Sequence, residues 1–333
     1  MKAIFLCNNT STARRVFTAA AAEAIGAMCE LDGCVYTEAD VFAAPERFTD
    51  VEIIFSTWGM PKLDEAQIKE YLPRLKCIFY GAGSVQRFAA PYIACGVRVF
   101  SAWVANAVPV AELTAAQIVL ANKGYFVTER LYGTLGKCEA REVFGCCRGN
   151  FGEEVGIIGA GMIGRKVIEL LRPYEIRVLV YDPFLSDADA DALGVKKCSL
   201  EELFERCMTV SNHLANKPET EGIITYDLMR RMRKCATFIN TGRGAQVVGE
   251  DLVRILTERP DLTALLDVTA PEPLPQGHVL FTLPNCRVTP HIAGSAGREV
   301  ERMGNYMVEE CRLYLEGKPT RYEVSAKMLE TMA

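Results

Sequence analysis

Residues 155–164 read Val-Gly-Ile-Ile-Gly-Ala-Gly-Met-Ile-Gly. The chain then runs through Val167, Ile168, Leu170 and Leu171 to Ile176-Arg177-Val178-Leu179-Val180-Tyr181-Asp182. Residues 155–158 are a short apolar run of strand type, the apolar positions after Gly164 follow a helical pattern, and 176–181 is a second strand. A G-x-G-x-x-G placed between strand and helix gives each glycine a physical task. Gly159 permits the tight turn, Gly161 lets a pyrophosphate approach the backbone, and Gly164 lets the helix pack on the strand while its N-terminus faces the anion. Asp182 stands 23 positions after Gly159, where a carboxylate accepts from ribose hydroxyls and repels a 2′-phosphate. The stretch predicts a dinucleotide site that takes NAD(H) in preference to NADP.

Strand and helix signals alternate on both sides of it. Toward the N-terminus, residues 2–7, 51–57, 75–80 and 97–100 read as strands, and 12–28, 64–71 and 85–94 as helices, with Asp64 as a cap. This is a small parallel α/β unit. Residues 106–121 read as a long helix and 133–152 as an arm or loop. After Asp182, strands are expected at 208–212, 236–240, 262–267 and 287–289, helices at 200–205, 226–232 and 251–258, and a long final helix at 297–315. The predicted organisation is therefore a nucleotide domain, 106–294, inserted into a discontinuous first domain, 1–105 plus 295–333.

Bulk properties narrow the class. A chain of 333 residues, 50% of them hydrophobic, is long enough to bury two cores of ordinary size. Net charge is −5, and with no basic stripe nucleic acid is not an expected partner. No apolar run approaches a membrane span, and the apolar start, residues 3–7, is too short for a secretory segment. The 13 cysteines form no C-x-x-C pair, and Cys7, Cys77 and Cys235 fall in apolar runs. That pattern predicts reduced, buried thiols in a cytoplasmic protein. With three histidines, none spaced with cysteines as in a zinc site, no metal is expected.

Three polar residues follow the ends of successive strand signals: Arg243 in Asn240-Thr241-Gly242-Arg243-Gly244, Glu272 in 267–273, and His291 in Thr289-Pro290-His291-Ile292-Ala293-Gly294. Ligands bind at strand ends in open parallel sheets. Together the three suit one reaction: a planar guanidinium clamps a carboxylate, an imidazole moves a hydroxyl proton, and a carboxylate orients the imidazole. Two loops in the first unit also sit at strand ends, Thr57-Trp58-Gly59-Met60-Pro61 and Tyr80-Gly81-Ala82-Gly83-Ser84. The second offers backbone N–H groups to a small anion or is a plain turn.

This ordered series resembles the D-isomer-specific 2-hydroxyacid dehydrogenase family, on residues 75–78, 106–112, the glycine motif, 210–220, 240–244, 267–273 and 289–294. The resemblance implies two doubly wound parallel-sheet domains, a flavodoxin-like substrate domain and a Rossmann NAD-binding domain, with the cofactor in the cleft between them. It implies Arg243 as the substrate-carboxylate ligand, His291 as acid/base and Glu272 as its partner. Cofactor contacts would come from Gly159, Gly161, Met162, Ile163, Gly164, Asp182, Asn212, His213, Thr220, Thr241, Gly242, Arg243, Asp267, His291 and Gly294. Gly83 and Ser84 would bind the substrate carboxylate through backbone N–H groups. Read from the residues themselves, Trp58, Met60 and Tyr80 either line a pocket larger than pyruvate needs or are ordinary strand-end packing. A homodimer joined through the helix from Asn106 and the arm at 133–149 is also implied.

The chain departs from the family pattern in three places. Gly83-Ser84 and Gln86 stand where a Val-Gly pair and an aspartate are common, Ala215-Asn216 replace the usual proline and its neighbour, and Phe151-Gly152-Glu153-Glu154 replace a leucine-glycine-lysine lead. These leave the substrate open among phosphorylated, sugar-derived and aromatic acids. The absence of a regulatory domain after Ala333 points away from regulated phosphoglycerate oxidation. The competing class is an NAD(H)-sensing, co-repressor-like binding protein without metabolic turnover.

Overall fold

In the computed structural model, which describes residues 1–329, the first unit is built on β1 (Lys2–Leu6), β2 (Glu30–Tyr36), β3 (Ile53–Ser56), β4 (Cys77–Tyr80) and β5 (Arg98–Ser101). Every residue of β3 and β4 is buried, as in parallel strands covered on both faces. β2 is an edge strand, mostly exposed, and so carries no apolar run to read. Parallel strands in the order β2-β1-β3-β4-β5 give the flavodoxin-like arrangement, whose switch point lies between β1 and β3. The single helix expected at 12–28 is two, Thr10–Val16 and Ala19–Gly26. The Thr18 hydroxyl accepts from the N–H of Ala21 at 3.3 Å and starts the second helix afresh. The helix Glu65–Tyr71 begins at Asp64, whose carboxylate and the Gln67 side chain cap each other's backbone N–H, each at 2.9 Å.

The second unit carries β6 (Glu154–Ile158), β7 (Arg177–Tyr181), β8 (Lys196–Lys197), β9 (Thr209–Asn212), β10 (Thr237–Asn240), β11 (Thr263–Leu266) and β12 (Cys286–Val288). All pair in parallel, in the order β12-β11-β10-β9-β6-β7-β8, which is the doubly wound Rossmann pattern. Register aligns Ile158 with Asn212, Asn212 with Asn240, and Asn240 with Leu266. The residues that follow these strands therefore emerge side by side. The helix Met162–Leu171 buries Val167, Ile168 and Leu171 in one core with Val155 and Ile157, each such side chain stabilising by about 1.5–3 kcal/mol.

β13 (Glu323–Val324) returns to the first sheet and pairs antiparallel with β5, so that sheet is not wholly parallel as expected. The chain divides into two compact units, Met1–Asn106 with the segment from Ser295 onward, and Ala107–Gly294. The helix Trp103–Asn122 corrects one expectation, because its 20 residues are long and apolar enough to cross a membrane by length and composition. Ala111, Ala115 and Ile118 spend its apolar face in the core with Val155 and Ile157. The segment at 133–152, read as an arm or loop, holds the end of the helix Tyr125–Leu135 and all of the helix Lys137–Phe144, separated by Gly136 at φ +93°. Among the described residues every cysteine is a free thiol.

Candidate active site

β6 ends at Ile158, and Gly159 follows at φ +91°, a conformation L side chains rarely adopt. A Cβ on Gly164 would lie 2.0 Å from the carbonyl oxygen of Gly159, so the helix can approach the turn only with glycine there. Gly161 is different: nothing lies within 4 Å of where its Cβ would stand. Packing thus requires the outer two glycines, while the middle one faces open space beside a helix N-terminus. No side chain caps that helix, and among the described residues the N–H groups of Met162 and Ile163 have no acceptor. Room and donors for a pyrophosphate coincide, so these residues fit a dinucleotide.

Asp182 shapes the same corner. One carboxylate oxygen accepts from the N–H of Ala160 at 2.7 Å and the other from the N–H of Phe184 at 2.8 Å. Each oxygen keeps lone-pair capacity for a ribose hydroxyl.

A network of amides crosses the ends of β9 and β10. The Asn212 amide donates to the side-chain oxygens of Asn240 at 3.0 Å and Gln246 at 2.6 Å. Gln246 also accepts the N–H of Arg243 at 3.2 Å and donates to the carbonyls of Leu214 and Ala215, both at 2.9 Å. Sequence reasoning missed this fully buried glutamine; its one signal was a position three residues after Arg243.

The network limits what three expected cofactor contacts can offer. Asn212 is fully buried with its amide committed to the fold, and the Thr220 hydroxyl is turned onto its own loop at Ala215 and Lys217. The His213 ring is also buried, with Nε2 2.9 Å from the Ser211 hydroxyl and Nδ1 without a partner. Burial pushes its pKa down to about 3, so the ring is neutral. From these three positions only backbone groups are free to meet a nucleotide.

Thr241 and Arg243 leave β10 in turn. The Thr114 hydroxyl donates to the carbonyl of Val110 at 2.8 Å, so Thr241 donates to Thr114 at 3.0 Å. The Arg243 guanidinium donates to the carbonyl of Gly242 at 2.8 Å and makes no ion pair among the described residues. Burial lowers its pKa while the charge of Glu272 opposes that; the group stays cationic. A partly buried guanidinium with no carboxylate paired to it among the described residues is suited to binding an anionic ligand.

The histidine loop hangs from Asp267, which is 3% exposed. Its carboxylate accepts from the Thr289 hydroxyl at 2.6 Å, the N–H of Ile292 at 2.8 Å and the N–H of Ala293 at 2.9 Å, and its carbonyl accepts the N–H of His291 at 3.1 Å. Expected among the cofactor contacts, Asp267 has its carboxylate engaged by the loop itself. His291 is thereby held at φ +54°, a costly conformation for a non-glycine residue. Its Nδ1 lies 2.5 Å from a Glu272 carboxylate oxygen, and the imidazole is half exposed. Nδ1 is committed to the carboxylate, and Nε2 is the nitrogen left for a ligand. The structure brings Arg243, Glu272 and His291 together, and Gly294 ends the unit.

In the first unit the Ser101 hydroxyl contacts the carbonyls of Ala82 and Gly83 at 2.9 and 2.5 Å. Among the described residues the N–H groups of Gly83 and Ser84 have no acceptor. Trp58 is 40% exposed, whereas Tyr80 and Met60 are buried in the core of the first unit. The Tyr80 ring packs on Phe88 with centroids 4.9 Å apart. Among the described residues no group of three His, Cys, Asp or Glu side chains is placed to hold a metal.

Residues 140–293 match the family model described as the D-isomer specific 2-hydroxyacid dehydrogenase, NAD binding domain. The second unit belongs to the D-isomer-specific 2-hydroxyacid dehydrogenase family. It is that family's NAD-binding domain, and NAD(H) is its cofactor. The chain is similar to D-3-phosphoglycerate dehydrogenase of Mycobacterium tuberculosis, 34% identical over 168 residues, which are 50% of this chain and 32% of that protein. It is also similar to glyoxylate reductase/hydroxypyruvate reductase of Homo sapiens, 33% identical over 171 residues, which are 51% of this chain and 52% of that protein. The matched segments thus span about a third and a half of these relatives. The fold likeness is wider: apo D-mandelate dehydrogenase of Rhodotorula graminis superposes with a TM-score of 0.79 at 20% identity, covering 97% of each chain.

Proposed function

We propose that the protein is an NAD-dependent D-2-hydroxyacid dehydrogenase working on small 2-oxo and 2-hydroxy acids. The observation that carries this reading is the contact of 2.5 Å between His291 Nδ1 and Glu272, beside an arginine with no ion-pair partner among the described residues. Bound NADH supplies a hydride to the substrate's C2. Arg243 binds the substrate carboxylate with its planar fork. His291 gives its Nε2 proton to the forming alkoxide and takes it back in the oxidative direction. Glu272 fixes the orientation of the ring through Nδ1. The reading is supported by relatives named for phosphoglycerate, glyoxylate and hydroxypyruvate, all 2-hydroxy or 2-oxo acids. The test is loss of NADH absorbance by purified protein across a panel of 2-oxo acids. Turnover with one or more is expected; NADH binding without turnover of any would overturn the reading.

The protein works as a homodimer in this proposal. Tyr125, Tyr132 and Leu135 on the helix Tyr125–Leu135 and Phe144 on the helix Lys137–Phe144 are all exposed. Four large apolar side chains on two adjoining helices form a patch suited to a second copy of the same surface.

A further inference from the structure

β2 does not run evenly beside β1. Ala3 pairs with Leu31 and Phe5 with Val35, so the single residue Ile4 faces three on the edge strand, Asp32, Gly33 and Cys34. The surplus makes a bulge, which bends the strand and re-aims its side chains. It is fastened at two points: the Asp32 carboxylate accepts the N–H of Cys34 at 3.0 Å, and the Arg14 guanidinium donates to the carbonyl of Gly33 at 3.4 Å. Beside the bulge lies a cavity of about 200 Å³, lined by Lys2, Ile4, Asp32, Tyr36, Arg47 and Phe48. All six belong to the first unit, and none takes part in the proposed reaction.

The lining divides into an apolar floor and a charged mouth. Ile4 and Phe48 are buried, and the Tyr36 ring packs edge-on against Phe48 with centroids 5.1 Å apart. Asp32 and Arg47 are exposed and meet through one hydroxyl: Tyr36 donates to Asp32 at 2.5 Å and accepts from Arg47 at 3.3 Å. The bond to Asp32 pushes the tyrosine pKa up to about 12 and holds the Asp32 carboxyl below its usual range. Asp32 is therefore an anion and Arg47 a cation, and among the described residues neither makes a salt bridge. Lys2 is different, because its ammonium is paired with Asp50 at 2.7 Å. The cavity thus offers one free charge of each sign above an apolar floor.

We propose that this cavity binds a small α-amino acid, its carboxylate on Arg47, its ammonium on Asp32 and its side chain on Ile4 and Phe48. A zwitterion satisfies both free charges. A plain carboxylate or a phosphate would meet Arg47 but bring its own charge up to Asp32, and a plain amine would do the reverse. Asp32 and Arg47 stand two hydrogen bonds apart, which suits charged groups carried on a single carbon. Size sets the side chain: at about 30 Å³ for each water, the cavity has room for roughly six or seven. That is close to the number of non-hydrogen atoms in alanine or valine and too few for an aromatic amino acid.

The test is calorimetric titration of the full-length protein with L-alanine, L-valine, propionate, ethylamine and inorganic phosphate, with Asp32→Asn and Arg47→Gln run alongside. Asparagine keeps an acceptor for the Cys34 N–H and glutamine a donor for the Tyr36 hydroxyl, and an unfolding midpoint near the parent's checks that each variant folds. Expected is one L-alanine or L-valine bound per chain with Kd of about 1 mM or tighter. Each variant should weaken it at least about tenfold, the size of one lost hydrogen bond to a charged group, and propionate and ethylamine should bind at least as much more weakly. No saturation by either amino acid, or binding that both variants leave unchanged, overturns the proposal. So does propionate or phosphate binding as tightly as the amino acids and lost in Arg47→Gln, which would show a plain anion site. The reductase reading stands or falls separately, on turnover.

Discussion

Gln246 holds Arg243 in place: its side-chain oxygen takes the Arg243 N–H at 3.2 Å while its amino group grips the carbonyls of Leu214 and Ala215, both at 2.9 Å. One buried amide therefore fixes both the arginine loop and the loop after β9. Gln246→Leu strands the amide of Asn212, the N–H of Arg243 and two carbonyls. At about 1–3 kcal/mol for each buried group left unpaired, partly relieved by relaxation, a loss of roughly 3 kcal/mol in stability is expected. Urea unfolding at neutral pH measures it, and a loss below about 1 kcal/mol would show that the network is not structural.

The glycines of the turn predict opposite failures. Gly164→Ala places a methyl 2.0 Å from a backbone carbonyl, so the turn itself must move and stability should fall by more than 2 kcal/mol. Gly161→Ala has open space and φ −73°, so its unfolding midpoint should stay near the parent's. Its NADH affinity, followed by cofactor fluorescence, should nonetheless drop at least tenfold, because the methyl occupies the place of the pyrophosphate. Parental affinity in Gly161→Ala would contradict the placement of the nucleotide.

Acid sensitivity follows from His213. Its pKa falls from 6.5 to about 3 on burial, so below the unfolded value the unfolded chain binds the extra proton. Stability contributed by this neutral ring is present above pH 6.5 and is lost as pH falls from there toward 3, at up to about 1.4 kcal/mol per unit. Thermal or urea unfolding between pH 7.5 and 4.5 should show a shallower decline for His213→Asn than for the parent. Parallel curves would mean that the ring is not held neutral.

The apolar patch on the two helices predicts an association defect. Tyr132→Lys combined with Leu135→Glu should halve the apparent mass on sizing with light scattering, with circular dichroism unchanged. A double variant that elutes with the parent would place the interface elsewhere.

Much of this was legible because the relevant forces are local. The strand, turn and helix from Val155 to Leu171 announce themselves through burial and glycine geometry, and Arg243, Glu272 and His291 follow strand ends that short apolar runs reveal. What escaped the sequence depends on partners distant along the chain. β2 is exposed and shows no periodicity, Thr18 splits an alanine-rich helix through one cap, and Gln246 gains its role from Asn212, 34 residues earlier. Asn212, Thr220 and Asp267 resemble cofactor ligands in sequence, yet their side chains are satisfied within the fold. Tyr80 ends a strand, as a pocket residue would, but faces the core side of the sheet.

The central claim is that His291, oriented by Glu272, moves the proton. The most direct measurement is kcat for NADH-dependent reduction of the best 2-oxo acid by the parent and by His291→Asn at equal saturation. A loss of about 100-fold to 10,000-fold is expected, the usual span for removing a general acid. A His291→Asn protein that turns over within a few-fold of the parent would contradict it.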